Sequence, residues 1–423
     1  MSDKLVSVCI NAYNAEKFIL ETVESVIKQT YKNLQIIIVD DCSTDNTYEL
    51  VKSINDDRIE VYRTPFNGHI SFANNESFKY IKGDYIAHID ADDLWVEDKI
   101  EKQVAFLESN PGYGACFTHA EIIDADSTVS DKSQDTLRSV YALENLNQSE
   151  MFRHFYDNSN RLCHPSYLIR SEIMKQVGCF DVSMLYLHDF DYWMRLLTVT
   201  KIYIIPERLT LVRRHGDNNS EMDDKKWNAH NTEFARLIYN SVNICPDELF
   251  LEAFSDKLRF AGEHTHEDVE LEKGFLLLDG PLIYKGNPVL GLYKFSELFK
   301  DEGYIKLAKE KFNFTTRDLY KFQESKCYVD IGEYTHLTGS VNRLQGELDI
   351  EKKHMQETVE ELKRCKKYIN DLEEIRESNI DYINNLENNV SDLKKNIDDI
   401  KNSFSWKLTA PLRYVSNKIL KHK

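Results

Sequence analysis

Short apolar runs alternate with segments of helical periodicity over the first 125 residues of the chain. The apolar runs predict strands at residues 5–10, 34–39, 59–62, 85–89 and 114–123. Apolar residues at helical spacing predict helices between them, at residues 15–29, 43–54, 72–81 and 97–107. This alternation is typical of an α/β fold, and we expect an open, mostly parallel sheet flanked by helices on both faces.

Polar residues follow three of the predicted strands at the point where each strand ends. Residues 11–14 (Asn-Ala-Tyr-Asn) follow the first strand, Asp40 and Asp41 end the second, and residues 90–93 (Asp-Ala-Asp-Asp) end the fourth. Ligands of open α/β sheets bind beyond the carboxyl ends of the strands. The sequence therefore predicts a binding crevice at this edge of the sheet.

The pattern changes after residue 125. Residues 126–225 mix strand-like and helix-like segments, and residues 226–335 have mainly helical periodicity without a recognisable motif. We expect residues 226–335 to form a helical extension that braces the sheet or shapes part of a binding site.

A heptad repeat begins at Val341 and continues to Phe404. Nine of the ten residues at its first position are apolar, and Arg376 is the exception. A repeat of this length predicts a left-handed coiled coil over residues 336–400, because a lone helix could not bury the apolar stripe. We expect a parallel homodimer through residues 341–404, and a single long surface helix is the alternative.

Composition indicates a soluble globular protein. The 423 residues are 42% hydrophobic and 29% charged, and the longest aliphatic run, residues 36–39, is far too short to span a membrane. No signal peptide is apparent, so we expect a cytoplasmic location. The net charge of -18 argues against nucleic-acid binding. Eight scattered cysteines without C-x-x-C spacing predict reduced thiols rather than a zinc site or a disulfide framework.

The last residues have a positive net charge, in contrast to the acidic chain as a whole. Residues 401–423 carry six basic side chains and no acidic one, and Trp406 precedes a helical face of leucine, valine and isoleucine. A basic amphipathic segment with an aromatic residue at its start is typical of a membrane-surface anchor. We expect this tail to hold the protein at the inner face of the cell membrane. A docking helix for a partner protein or a frayed tail is the alternative.

The Asp-x-Asp triplet of Asp90 and Asp92 is the first candidate for chemistry. It follows a strand directly, so its carboxylates can hold Mg²⁺ or Mn²⁺, which would bind the phosphate oxygens of a nucleotide. A solvated acidic turn is the alternative for one triplet, but Asp40 and Asp41 at a second strand end favour a site. The chain has no G-x-G-x-x-G, P-loop or G-x-S-x-G motif, which argues against dehydrogenase, P-loop and hydrolase chemistry.

These segments together resemble the family-2 nucleotide-sugar glycosyltransferases, whose domain has the GT-A fold. The segments that carry the resemblance, in matching order and spacing, are residues 6–14, 38–47, 67–68 and 90–93. Residues 164–166, 177–181, 188–196 and 213–216 extend it to about residue 220. The tail at residues 403–413 is similar to that of many bacterial surface-polysaccharide glycosyltransferases.

The resemblance implies an inverting transfer that depends on a metal ion, Mn²⁺ or Mg²⁺. Asp189 matches the base that takes the acceptor proton, and Asp92 matches the metal ligand. Asp40 matches the residue that pairs with a uracil ring, so the implied donor is a UDP-sugar. The implied donor-binding residues are Asn11, Ala12, Tyr13, Asn14, Asp40, Asp41, Asp90, Ala91 and His215.

Three positions depart from the family pattern. Cys42 stands where glycine usually follows the paired aspartates, so we expect a turn that avoids a strictly positive φ. His188 replaces the usual Glu beside the base, which we expect to change acceptor contacts or the pKa of the base. Residues 73–75 lack the Arg often found there, so one contact near the nucleotide is absent.

The resemblance divides the chain into a GT-A domain (1–225), a helical extension (226–335), a coiled coil (336–400) and a basic amphipathic tail (401–423). We expect a hexosyl- or N-acetylhexosaminyltransferase that extends a surface glycan or a lipid-linked glycan. A non-catalytic scaffold of the same fold is the alternative, although the retained base and metal ligand argue against it. A nucleotidyltransferase would need a glycine-bearing loop near the N-terminus, which residues 11–17 lack.

Overall fold

A computed structural model of the chain describes residues 4–131, 134–215, 224–281 and 288–324. The chain up to Leu319 forms one compact unit. The predicted coiled coil and the predicted basic tail lie outside the described residues.

Eight strands form one sheet in the part of the chain that the structure describes. They are β1 (Val6–Ala12), β2 (Leu34–Asp40), β3 (Ile59–Arg63), β4 (Tyr85–Asp90), β5 (Leu94–Trp95), β6 (Tyr113–Ile123), β7 (Leu168–Arg170) and β8 (Lys201–Arg213). Their order is β3-β2-β1-β4-β7-β6-β8-β5. The first four in this order are parallel, whereas β4–β7, β6–β7 and β5–β8 pair antiparallel and β6–β8 pair parallel. The predicted α/β sheet is confirmed, and the half that carries the predicted crevice is wholly parallel.

The described residues contain fourteen α-helices. They are α1 (Ile19–Ile27), α2 (Thr47–Lys52), α3 (His69–Phe78), α4 (Lys99–Ser109), α5 (Asp135–Val140), α6 (Gln148–Asn158), α7 (Ser171–Val177), α8 (His188–Val199), α9 (Asp224–Ile244), α10 (Asp247–Ala253), α11 (His266–Asp279), α12 (Val289–Leu298), α13 (Glu302–Phe312) and α14 (Thr316–Glu324). The four predicted helices of the first 125 residues are all present with shifted ends. The first begins four residues later than predicted, because the Ala15 N–H donates to Thr47 Oγ1 and residues 15–18 form a turn.

Alternate residues of the central strands face two separate cores. On β2, Ile36 and Ile38 pack in a core with α1 and α4, whereas Ile37 and Val39 pack in a second core with α6 and α8. All four side chains are at most 1% exposed. Burial on both faces explains why β2 is a continuous apolar run rather than an alternating one.

The helical extension is part of the second core. Leu237 and Ile238 of α9 and Phe250 of α10 belong to the same apolar cluster as Trp193 of α8. Each of these side chains is at most 1% exposed, and burial of such a side chain contributes about 1.5–3 kcal/mol to stability. The described part of the extension therefore packs as a continuation of the sheet domain.

The six cysteines in the described ranges are all free. Cys327 and Cys365 lie outside those ranges. In the described part of the chain, no helix is both long enough and apolar enough to cross a membrane.

Candidate active site

Strand register brings the predicted polar groups to one edge of the sheet. Asn11 on β1 is paired with Asp90 on β4, and the next residue, Ala12, is paired with Asp40 on β2. Neighbouring strands lie about 4.8 Å apart, so these positions form a compact row. The polar positions that the sequence predicts at this edge are therefore neighbours in the sheet.

The Asn11 side chain is used inside the protein. Its Nδ2 donates to Asn74 Oδ1 over 2.7 Å, and its Oδ1 accepts from Ser77 Oγ over 2.5 Å. Both partners belong to α3. The amide of Asn11 thus fixes α3 against the end of β1.

The loop after β1 is held in a fixed shape that exposes one aromatic ring. Asn14 has φ +50°, its N–H donates to Ser43 Oγ (3.0 Å), and its Oδ1 accepts from the Thr44 N–H (2.8 Å). Tyr13, directly before it, is 47% exposed. The loop therefore presents the Tyr13 ring at the edge of the sheet beside Asp40.

The two aspartates at the end of β2 have different partners. Asp40 is fully buried, and its Oδ2 forms an ion pair with Arg63 Nε (3.1 Å) and accepts a hydrogen bond from the Ser43 N–H (3.2 Å). Its Oδ1 is buried and accepts no hydrogen bond from a described residue. Asp41 instead accepts from Thr64 Oγ1 (2.9 Å) and, with both oxygens, from the Gly68 N–H (3.1 Å). Asp40 thus keeps one acceptor atom without a partner among the described residues, whereas Asp41 holds the loop at residues 64–68.

The turn after Asp41 contradicts one expectation. Cys42 has φ +60°, so the turn keeps the left-handed conformation that glycine usually provides, and the prediction that it avoids a positive φ was wrong. Bonds on either side impose this shape, because the Asp41 N–H donates to the Ala12 carbonyl and the Ser43 N–H donates to Asp40 Oδ2. A non-glycine residue in this region costs about 1–2 kcal/mol.

The acidic turn after β4 is anchored through its backbone. Thr22 Oγ1 donates to the carbonyls of Ala91 (3.0 Å) and Asp93 (2.8 Å). Fully buried Arg213 donates from Nε to the Asp92 carbonyl (2.6 Å) and from its N–H to Asp93 Oδ1 (2.8 Å). The turn is therefore held from α1 on one side and from β8 on the other.

The carboxylates of this turn have opposite shifts in pKa. Burial raises the pKa of Asp92, the Asp90 carboxylate raises it further, and His215 opposes both. For Asp90, burial also raises the pKa, but the hydrogen bond from His88 (2.9 Å) and the nearby histidines outweigh it and lower the pKa to about 2. Asp90 is therefore ionised at neutral pH.

The residues around Asp92 fit a divalent cation. His215 Nε2 lies 2.9 Å from Asp92 Oδ2, and its ring stacks on Phe18 with centroids 4.8 Å apart. Asp92 remains 26% exposed and Asp90 33% exposed. Carboxylate oxygens with one imidazole nitrogen form a ligand set that suits Mn²⁺, and the carboxylates alone suit Mg²⁺.

Asp189 lies in the first turn of α8. Its Oδ2 accepts from Asn160 Nδ2 (2.7 Å), and its Oδ1 accepts from the Phe190 N–H (2.7 Å). Burial raises its pKa, and the Asp90 carboxylate adds to the rise. A fixed carboxylate with a raised pKa is a stronger base than an ordinary aspartate.

The turn before α8 is held by the helical extension. Glu233 of α9 is only 8% exposed, and its carboxylate accepts from the N–H groups of Leu185, Tyr186 and Leu187 over 2.7–2.9 Å. These three residues lead directly into the turn that carries Asp189. The extension thus fixes the start of α8 as well as packing against the core.

Neither Asn160 nor Glu233 was predicted from the sequence. Both are single polar residues outside any motif, and they contact a segment that lies 29 and 46–48 residues away in the chain. A buried acid on the apolar face of α9 is the one local signal that could have marked Glu233.

The chain is similar to known glycosyltransferases. The profile of the family described as Glycosyl transferase family 2 matches residues 7–178. An uncharacterized glycosyltransferase of Haemophilus influenzae is 30% identical over 246 residues, which cover 55% of this chain and 72% of that protein. The UDP-Glc:alpha-D-GlcNAc-diphosphoundecaprenol beta-1,3-glucosyltransferase WfaP of Escherichia coli is 45% identical over 106 residues, which cover 25% of this chain and 42% of the enzyme.

The matched length varies among relatives, and the chain spans 42–64% of the length of three of them. Among solved structures, S. aureus TarS 1-349 in complex with UDP aligns with 77% of this chain and 94% of its own, at 16% identity and a TM-score of 0.47. The family profile covers β1 to α7, which include the strand ends with Asp40 and Asp90, and the Haemophilus relative is matched over most of its length. The chain belongs to glycosyl transferase family 2.

Proposed function

We propose that the protein is an inverting glycosyltransferase that moves a sugar from a UDP-sugar to a hydroxyl of a growing surface glycan. The observation that carries this proposal is the Asp189 carboxylate, fixed by Asn160 and by the Phe190 N–H, with a pKa raised by burial and by Asp90. The Asp90 carboxylate at the end of β4 contributes to this rise, which supports an assignment of Asp189 and the acidic turn to one site.

Asp189 would act as the general base. The acceptor oxygen attacks the anomeric carbon while the bond from that carbon to the diphosphate oxygen breaks, and the hydroxyl proton passes to a carboxylate oxygen of Asp189. Attack from the face opposite the leaving group inverts the configuration at the anomeric carbon. Each Asp189 oxygen accepts one hydrogen bond and keeps a further lone pair for this proton.

Asp40 would select the nucleotide base. Its buried Oδ1 accepts no hydrogen bond from a described residue, and the imide N–H of uracil is a donor that fits it. Tyr13 lies exposed beside Asp40, where it can pack against the ring. WfaP, by its name, uses UDP-Glc, which supports UDP as the nucleotide here.

Asp92, with His215 and Asp90 beside it, would hold Mn²⁺ or Mg²⁺. The ion would supply positive charge to the departing diphosphate. Arg213 and Thr22 fix the backbone of the turn, so the carboxylates are set in place before the donor arrives.

A donor screen tests this proposal. The full-length chain is incubated with each common nucleotide sugar and Mn²⁺ or Mg²⁺, and both nucleotide release and equilibrium binding are measured. We expect binding and turnover of a UDP-sugar and loss of turnover with EDTA. Absence of both binding and turnover for every donor would contradict the enzyme and leave the non-catalytic scaffold.

We also propose that residues 341–404 form a homodimer and that residues 401–423 hold the enzyme at a membrane with a lipid-linked acceptor. WfaP, by its name, acts on a diphosphoundecaprenol-linked sugar, which supports such an acceptor. Light scattering should give the mass of two chains for the full-length protein and the mass of one shortened chain after removal of residues 336–400. Removal of residues 401–423 should lower binding to anionic vesicles without changing turnover of a soluble acceptor. A dimeric mass for the shortened chain, or unchanged vesicle binding, would contradict the corresponding proposal.

A further inference from the structure

Three histidines from separate parts of the chain meet behind the acidic turn. His88 lies on β4 two residues before Asp90, so both side chains point to the same face of the sheet. His164 begins a short 3-10 turn (His164–Ser166), and His188 is the first residue of α8. The ring centroids of His88 and His164 are 4.7 Å apart, and those of His164 and His188 are 5.4 Å apart.

Five of the six ring nitrogens in this cluster are buried and have no hydrogen-bond partner among the described residues. They are Nδ1 of His88 and both nitrogens of His164 and of His188. The sixth, His88 Nε2, bonds to Asp90 Oδ1 over 2.9 Å. Aromatic rings surround the cluster, with Trp193 5.8 Å and Phe180 6.1 Å from His164. Imidazoles buried among apolar rings without partners are costly, and a bound ion removes that cost.

We propose that His88, His164 and Asp90 form a binding site for a divalent transition-metal ion of the zinc class, with His188 at its side. One nitrogen of each of the first two rings and one oxygen of Asp90 lie within 4.8 Å of one another. The ligand atoms of one tetrahedral zinc ion lie about 3.3 Å apart, so small side-chain rotations would bring these three atoms to that spacing.

The ligand chemistry separates this site from the one at Asp92. Imidazole nitrogens favour Zn²⁺, Co²⁺ and Ni²⁺, whereas carboxylate oxygens favour Mg²⁺ and Mn²⁺. Asp90 is 33% exposed, which gives an ion a route from the crevice, while His88 is fully buried. The Asp90 carboxylate would thus be shared by the two metal sites.

The shared carboxylate has a functional consequence that rests on the proposed function. An ion held by His88 and His164 would draw Asp90 away from the donor, so micromolar Zn²⁺ would inhibit transfer even with Mn²⁺ in excess. Metal binding itself does not depend on the protein being a glycosyltransferase.

A second cluster supplies an internal comparison. Asp247, His266 and Glu270 also place ligand atoms within 4.8 Å of one another. There, however, Glu270 is bonded to Lys273 and Lys294, and His266 is bonded to Asp247. An ion at that cluster would have to displace two ammonium groups, so we expect it to bind none.

The test uses the full-length chain, free of any purification tag and without nucleotide. Zn²⁺ binding is measured by equilibrium dialysis with elemental analysis, and Co²⁺ is followed by its visible absorption, which reports nitrogen ligation. We expect one Zn²⁺ per chain in the parent protein. His88→Phe and His164→Phe should each weaken Zn²⁺ binding at least about tenfold, because each removes one ligand. His266→Ala should bind as the parent does.

A further variant separates the two ions. Asp92→Asn should lose Mn²⁺ and keep Zn²⁺, and loss of Zn²⁺ in that variant would overturn the proposal by placing the ion at Asp92. Absence of Zn²⁺ binding to the parent, or unchanged binding in both phenylalanine variants, would overturn it as well. Circular dichroism checks each fold, and His164→Asn, which keeps a polar side chain, replaces any variant that fails to fold.

Discussion

The proposed donor edge and the proposed base end of the site are built in different ways. The donor edge consists of the ends of β1, β2 and β4, and strand pairing alone aligns Asn11, Asp40 and Asp90. The base end consists of the start of α8, which is held by Asn160 from one loop and by Glu233 from the helical extension. The first is therefore a property of the sheet, and the second depends on contacts with remote segments.

Because of this difference, we expect substitutions at the two ends to affect different steps of the reaction. Changes at the base end should lower the rate of transfer and leave donor binding intact, whereas changes at the donor edge should weaken donor binding itself. The following variants test that separation, from the largest expected effect to the smallest.

Asp189→Asn removes the base without changing the shape of the side chain. We expect transfer to fall by about 10²–10⁴, the usual contribution of a general base, with an unchanged Kd for the UDP-sugar. Steady-state kinetics and donor titration measure the two quantities. Transfer that persists near the parent rate would mean that another residue is the base. A higher Kd for the donor would mean that the base end also contributes to donor binding, so that the two ends are not separate.

Glu233→Gln tests whether the extension fixes the base end. The carboxylate accepts three backbone N–H groups, and hydrogen bonds to a charged group contribute about 1.5–3 kcal/mol each, so its neutralisation should loosen the start of α8. We expect kcat to fall about tenfold or more, with the donor Kd unchanged and the free energy of unfolding lowered by at least about 2 kcal/mol.

Glu297→Gln is the matched control for this variant. Glu297 also lies in the extension and accepts from Tyr239, but this exposed bond joins α9 to α12 rather than to the turn before α8. Its kcat should equal that of the parent. Equal loss of kcat in both variants would mean that Glu233 acts only through general stability of the extension.

Asn160→Leu tests the hydrogen bond to the base. The Asn160 amide stabilises the ionised form of Asp189, so its loss raises the pKa of that carboxyl further. The enzyme needs the ionised form, and activity disappears as pH falls through this pKa. The acidic limb of the kcat profile should therefore move to higher pH, while the donor Kd stays the same; a limb at its parent position would show that the bond does not tune the base.

The same comparison explains how much the sequence could predict. Asp40, Asp90 and Asp92 follow apolar strands directly, so a local sequence pattern identifies them. Pairing of the strands then brings them to the same edge of the sheet. Asn160 and Glu233 act through chain contacts that no local pattern encodes. The histidine cluster combines both cases, because His88 has the strand spacing to Asp90, whereas His164 and His188 reach it only in the folded chain.

Cys42 shows the limit of local inference even at the donor edge. The residue type predicts that Cys42 avoids a positive φ, yet the hydrogen bonds of Asp40, Asp41 and Ser43 impose φ +60° on it.

Cys42→Gly should remove this backbone strain. Glycine also increases the entropy of the unfolded chain, which offsets part of the stabilisation, so we expect the free energy of unfolding to rise by about 0.5–1 kcal/mol. Cys42→Val should lower stability by a similar or larger amount, since a β-branched residue tolerates this region worst. Urea unfolding measures both, and donor binding should stay within error in the glycine variant because the turn keeps its shape. A glycine variant less stable than the parent would mean that side-chain contacts of Cys42, rather than backbone strain, dominate at this turn.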